Sequence, residues 1–411
     1  MKPGALPSDG ALDATFALLR EGYRFIPDRC MRLGTDAFRT RLMGRKAVCM
    51  TGARGIRLLY GADGLTRRGA MPPTVLRLLQ DKGSVQQLDG AAHRHRKALF
   101  MAVLVKEDAA ERLAEAFGRV WTARLCDEGE SNVLVGASDI LAQVVCEWAG
   151  FDQSISGDAA LRKALVEMSA RAGSVGPGTV AALLRRRRVE RQLARALPGL
   201  PEGCPARRIA TFEEDGAPLA TKTAVVEILN LIRPIVAVGR YIAFLTRTLA
   251  VEPEWRQTLS CADRVDIEQF CEEVRRQSPF FPMVGAMTTR QVSHEGLDLP
   301  PGQWVLADLW GTSQSQEAFP LPNQFHPGRQ LSWRHPNEYF VPQGGGDAAT
   351  THRCPGERVT LALMTEAVRI LCGRLHWELP EQNLDVALNR MPAAPESGVL
   401  LSGIRSLDAL S

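Results

Sequence analysis

A cysteine that closes a glycine-rich loop and opens a long helix is the feature of this sequence that most narrows its fold. The loop reads FVPQGGGDAAT (residues 340–350) and runs directly into THRCPGERVTLALM (residues 351–364). Beyond Pro355 and Gly356, the spacing of Leu361, Met364, Val368 and Leu371 predicts a helix with one apolar face. Cys354 therefore falls at a helix N-terminus. There the helix dipole, the free N–H groups and the adjacent His352 and Arg353 are expected to lower the thiol's pKa and favour a thiolate. A thiolate can attack, resolve a disulfide or bind a metal; a lone cysteine is more often a buried thiol, so position alone does not choose among these.

The other eight cysteines, at positions 30, 49, 126, 146, 204, 261, 271 and 372, form no CxxC pair. They read as reduced core thiols of a cytoplasmic protein, not as a disulfide frame or a zinc site. The N-terminal stretch MKPGALPSDGALDATFALLR lacks the apolar core of a signal peptide. The most apolar segment, VVEILNLIRPIVAVGRYIAF, is interrupted by Glu227, Asn230, Arg233 and Arg240, so no membrane span is expected. A net charge of +4 over 411 residues demands neither a nucleic-acid nor a membrane partner. The basic run RRRRVERQLAR (residues 185–195) has no interleaved aromatic residues for base stacking and reads as a solvated helix face.

Without an internal repeat or long linker, residues 1–411 are expected to form a single domain. Helical periodicity dominates residues 109–195, 221–249 and 265–277; in the last, Ile267, Phe270, Cys271 and Val274 share a face. Strand-like pieces are few: GQWVLADLW after the turn at Pro300-Pro301-Gly302, and GVLLSGI near the end. The class is mostly α with minor β.

Two charged features stand out. Glu273 and Arg276, at i and i+3, can pair on one helix face, which alone is worth only about 0.2–0.5 kcal/mol. Arg233-Pro234 sits in the middle of the apolar segment. A helix-interior proline costs about 3 kcal/mol and implies a kink, and a guanidinium in such surroundings needs an anion, most simply an internal Asp or Glu.

The order of Glu-x-x-Arg, Pro279, the strand after Pro-Pro-Gly, FHPGR (residues 325–329) and Cys-Pro-Gly resembles the cytochrome P450 superfamily, from about Arg67 to the C-terminal strand. The resemblance implies the cytochrome P450 fold, a helix-rich lobe and a small β-rich lobe around a buried haem b. It makes Cys354 the thiolate ligand of the haem iron. It assigns Glu273, Arg276 and Arg329 to a structural brace under the cysteine loop, and Arg67, His93, Lys97 and His352 to the haem propionates.

Where that superfamily carries an acid followed by an alcohol in its central helix, this sequence has Arg233-Pro234, as in the fatty-acid peroxygenase branch. The insert between PQGGGD and HRCPGE and the stretch VQQLDGAAHRHRKALFM are similar to that branch too. The resemblance implies oxidation of a fatty acid by hydrogen peroxide, with no obligatory redox partner. Arg233, with Pro234, clamps the substrate carboxylate, which supplies the missing acid–base group. The products are α- or β-hydroxy acids, with decarboxylation to terminal alkenes as the other outcome. Gln86 occupies the distal position filled by glutamine in hydroxylating members and by histidine in a decarboxylating one. Gln80 and Met283, with Val284 beside it, stand where relatives place aromatic rings along the acyl chain, and RMPAAPESG (residues 390–398) completes the pocket floor. A reductase-dependent monooxygenase would share Cys354 and the brace, and a haem sensor or carrier would share Cys354 without turnover; a nucleic-acid binder ranks last.

Overall fold

In the computed structural model, which describes residues 6–105, 108–335 and 337–407, one five-stranded sheet sits beside a large assembly of helices. The sheet runs in the order Ala37–Leu42, Arg45–Met50, Trp304–Asp308, Met283–Thr288, Leu65–Thr66. Its first two strands form an antiparallel hairpin with Leu42 opposite Arg45; Met43 and Gly44, both at positive φ, give the tight turn whose twist suits a hairpin. Trp304–Asp308 lies parallel to Arg45–Met50 and is buried along its whole length, as a strand covered on both faces must be. The second expected strand, Leu400–Ser406, pairs with Leu375–Glu378 and Ser131–Asn132 in a separate sheet.

The helical stretch at residues 109–195 divides into Ala109–Glu128, Val133–Ala149, Gln153–Ser156, Ala159–Ala170 and Pro177–Ala196. Asn132, Asp152 and Asp158 cap helix starts with their side chains, and left-handed Gly129 and Gly150 end the two longest of the first three. At the centre, Thr221–Val236 is followed at once by Val238–Val251. Pro234 does not break its helix; the interruption falls just beyond, at Ala237. Gly239 lets this pair approach Val133–Ala149 closely, since a Cβ there would stand 2.3 Å from Ser138 Oγ. The 31-residue span Thr221–Val251 is long and apolar enough to cross a bilayer, but 89% of its apolar window is buried inside the fold.

Arg264–Gln277 buries Ile267, Phe270, Cys271 and Val274 as its spacing predicts. The helix after the cysteine is regular over Glu357–Val368 and then widens to a π-type turn over Arg369–Arg374, with Leu361, Met364, Val368 and Leu371 all buried. Two expectations fail. Arg186 is buried on the helix read as solvated, because Asp81, 3.7 Å away, and Glu190, 2.7 Å away, give it inward partners. The eight remaining cysteines are not all core: Cys126 and Cys261 are exposed and Cys204 is half-buried, though all nine are free thiols.

Candidate functional site

The Cys354 backbone N–H donates to the Gln343 carbonyl at 3.1 Å, which folds the loop back on itself before the helix begins. Three glycines make that path possible. Gly344 and Gly346 have φ of +100° and +75°, and a Cβ at Gly345 would stand 2.4 Å from Ile56 Cγ2. The half-buried sulfur receives two donors, the Gly356 backbone N–H and Gln343 Nε2, each at 3.4 Å. The Gln343 orientation is dictated by Arg275, whose Nη2 donates to Oε1 at 2.8 Å. A guanidinium only donates, so the amide oxygen must face Arg275 and the amide N–H must face sulfur and Thr360.

The expected lowering of the thiol pKa is not what the fold produces. Burial pushes it up, the Glu357 carboxylate pushes the same way, and the Gly356 N–H, Lys97 and Gln343 oppose them without prevailing. The two basic residues just before it in sequence do not help: Arg353 is committed to Glu357, and burial pushes the His352 pKa down to about 2, leaving it neutral. A thiol with sulfur donors in place and its proton held on by burial is suited to ionise when a metal cation binds it.

Beneath the loop lie two parallel braces. Glu273 pairs with Arg276 and also accepts from Arg329 Nε at 3.2 Å and the His326 N–H at 3.1 Å, while Arg276 binds the carbonyls of Ser313 and Pro322. One residue earlier in register, Glu272 pairs with Arg275, which reaches Glu357 Oε1 at 2.5 Å as well as Gln343. The second brace went unread in the sequence, although the doubled EEVRR was its visible signal.

Four basic residues that the sequence places apart come together. His93 and His352 have ring centroids 4.0 Å apart. Lys97, one turn beyond His93, donates to the carbonyls of Thr351 and Arg353. Arg67 donates to the carbonyls of Gly285 and Leu59, with its guanidinium 5.1 Å from the Tyr60 ring centroid. Burial pushes His93 to about 4 and Lys97 to about 8, and lowers Arg67; neighbouring cations add to the effect on the histidines. None of the four forms an ion pair with a described residue. Four bases gathered here with no acidic partner among the described residues fit a pair of incoming carboxylates, and the sulfur beside them fits a metal. Together they suit a haem with its propionates on these four residues and its iron on Cys354.

Arg233 is the second centre. It is 5% exposed, and its Nη2 donates to the Leu79 carbonyl and to Asn230 Oδ1 at 3.3 Å. Its Nε is buried without a partner, and it pairs with no described Asp or Glu, contrary to the simplest expectation. Burial, with Arg186 nearby, brings its pKa down to about 9, still cationic at neutral pH. Gln86 stands on the short Val85–Gln87 turn with its buried Oε1 unpartnered. Gln80 is tied to its own loop, accepting from Gln87 Nε2 at 2.9 Å. Met283 and Val284 are successive strand residues and leave the sheet on opposite faces, Met283 against the apolar cluster that includes Phe25 and Phe38, Val284 against the one that includes Val48 and Ile56. In the 390–398 segment, the Met391 carbonyl passes so close to Gly173 that a Cβ there would stand 2.3 Å away.

A cytochrome P450 family model matches residues 262–398. A solved structure of a cytochrome P450SP alpha (CYP152B1) variant is similar to nearly the whole chain, with 33% identity, a TM-score of 0.90 and coverage of 96% of this chain and 100% of that one. The chain belongs to the cytochrome P450 family. A cytochrome P450 OleT variant solved with arachidonic acid is 29% identical over 99% of each chain, with a TM-score of 0.92. These neighbours set this P450 in the fatty-acid peroxygenase branch. Curated relatives match over a shorter stretch. The monooxygenase DoxA of Streptomyces peucetius subsp. caesius is 32% identical over 131 residues, 32% of this P450 and 28% of DoxA. Cytochrome P450 71B1 of Thlaspi arvense is 26% identical over 144 residues, again 28% of that protein.

Proposed function

We propose that this P450 binds haem b through Cys354 and uses hydrogen peroxide, without an obligatory redox partner, to hydroxylate fatty acids at the α or β carbon. The observation that carries this reading is the buried Arg233 guanidinium, which pairs with no carboxylate among the described residues. A P450SP alpha structure holds (R)-ibuprophen and an OleT structure holds arachidonic acid, which supports a substrate carboxylate as the missing anion.

Haem supplies the oxidant that takes hydrogen from carbon. The chain's residues do the rest. Arg67, His93, Lys97 and His352 hold the propionates, while Glu273, Arg276 and Arg329 keep the cysteine loop rigid. Arg233 binds the carboxylate by charge-assisted hydrogen bonds and holds it as the general base for the peroxide proton, a task for which the central helix offers no acid–alcohol pair. The same clamp fixes the α and β carbons nearest the reacting centre. The balanced outcomes are fatty acid plus peroxide giving hydroxy acid plus water, or giving a terminal alkene, carbon dioxide and two waters. Gln86, at the distal position that hydroxylating relatives fill with glutamine and with its Oε1 left free, favours the first.

The test is turnover of a long saturated fatty acid by haem-loaded protein with peroxide alone, products read by mass spectrometry. Hydroxy acid or alkene is the expected result. Product formed only after a reductase and a nicotinamide cofactor are added would instead make the chain an ordinary monooxygenase, and none under either condition would leave a haem carrier.

A further inference from the structure

Glu227, Asn230 and Arg233 recur at i, i+3 spacing on the Thr221–Val236 helix, share one face, and are all buried. A carboxylate this deep needs strong donors, and Glu227 has three. Its Oε1 accepts from the Val85 N–H at 2.7 Å and from Arg96 Nη1 at 2.9 Å, and its Oε2 accepts from Asn230 Nδ2 at 2.9 Å.

Two consequences follow from donor and acceptor chemistry. An ionised carboxylate only accepts, so Asn230 must turn its NH₂ group to Glu227 and its oxygen to Arg233; a guanidinium only donates, so the amide is fixed from both sides. Val85 precedes Gln86, so the same carboxylate also pins the Val85–Gln87 turn to the helix that carries Arg233. Arg96 supplies the balancing charge and ties in Gly83 O at 2.5 Å and Glu214 Oε1 at 2.6 Å. It lies on the Gly90–Leu104 helix between His93 and Lys97.

We infer that Glu227 is a positioning residue for the substrate carboxylate: it fixes Asn230 beside Arg233 and sets Gln86 relative to both, and thereby governs which substrate carbon is presented. This rests on the fatty-acid reading above. Glu227→Gln keeps the side-chain size but presents an NH₂ group among donors, so Asn230 must turn over and face Arg233 with its own NH₂.

The experiment titrates palmitic acid into haem-loaded wild type and Glu227→Gln, reading the haem absorption shift, and measures the α to β product ratio with peroxide. The variant is expected to keep the wild-type thiolate spectrum and imidazole affinity, to bind palmitate about tenfold more weakly, as loss of one charged hydrogen bond implies, and to change the α to β ratio. Palmitate affinity and product ratio equal to wild type would overturn the inference. If Glu227→Gln fails to retain haem, Glu227→Asp, which keeps the charge opposite Arg96 with a shorter reach, is judged by the same two readings. A wild type that neither binds nor oxidises palmitate sinks the fatty-acid reading and this inference together; a wild type that does, matched by the variant, sinks the inference alone.

Discussion

Glu273 holds Arg276 through two hydrogen bonds, Oε2 to Nε at 2.7 Å and Oε1 to Nη2 at 2.8 Å, and neither side chain has any exposed surface. Removing one partner of such a pair strands the other charge in a low-dielectric interior, which costs about 3–5 kcal/mol. Glu273→Ala should therefore lose that much stability in urea unfolding and fail to retain haem. Arg329→Ala, which leaves the central pair intact, should cost less and keep the haem spectrum. Equal losses for the two variants would mean that Arg329 is a full partner and not a rim contact.

The helix that follows Cys354, the Glu-x-x-Arg pair and Arg233-Pro234 were legible because their chemistry is written in local spacing or in a charge where apolar residues surround it. What was not legible depends on partners far along the chain. Arg186 lies in an arginine run that looks solvated until Asp81, about a hundred residues earlier, is folded against it. The pKa of Cys354 is not legible because the sequence shows neither the burial that raises it nor the Glu357 carboxylate that folds beside it. Met283 and Val284 are neighbours in sequence, and only the strand that contains them sends them to opposite faces. The role of Gln343 at sulfur depends on Arg275, from another helix, to set its amide.

That amide makes a prediction of its own. Gln343 donates to the Cys354 sulfur, and donors at a metal-bound thiolate withdraw electron density and raise the reduction potential of the metal. Gln343→Leu should lower the iron midpoint potential and shift the absorption of the ferrous carbon monoxide complex. Arg275→Met should move both in the same direction if it acts by orienting the amide. An unmoved potential in Gln343→Leu would reduce the contact to loop packing.

Asp308 offers a test by pH. It ends the Trp304–Asp308 strand, is 1% exposed, and accepts from the Gly311 N–H at 3.0 Å and from Thr51 Oγ1 at 3.1 Å, with no ion pair to a described residue. Burial pushes its pKa from 3.8 up to about 7. The folded state thus holds a proton that the unfolded chain releases, so this group's contribution is complete below pH 3.8 and is lost as pH rises through about 7. Asp308→Asn keeps an acceptor for Gly311 and carries no charge at any pH. The stability of wild type relative to this variant, from urea unfolding, should fall between pH 4 and 7 and level off above that range. A difference independent of pH would mean that Asp308 is ionised throughout and balanced by its hydrogen bonds.

Arg233 joins stability to function with opposite signs. A buried guanidinium with an unpartnered Nε and no carboxylate partner among the described residues is a cost to the substrate-free fold, offset only in part by the Leu79 and Asn230 contacts. Arg233→Met keeps an unbranched side chain of similar reach without the charge, so its melting temperature without substrate should equal or exceed that of the wild type. Its fatty-acid affinity should fall by about ten- to a hundredfold, the worth of one or two charged hydrogen bonds, and peroxide-driven turnover should fall further because the carboxylate is also the base. Arg233→Lys keeps the charge but not the planar fork, so it should bind the acid better than Arg233→Met while leaving the carboxylate less firmly oriented and the product ratio broader. A variant that melts lower yet oxidises fatty acids normally would make Arg233 a structural tie to Leu79, and the anion it awaits would have to be sought elsewhere.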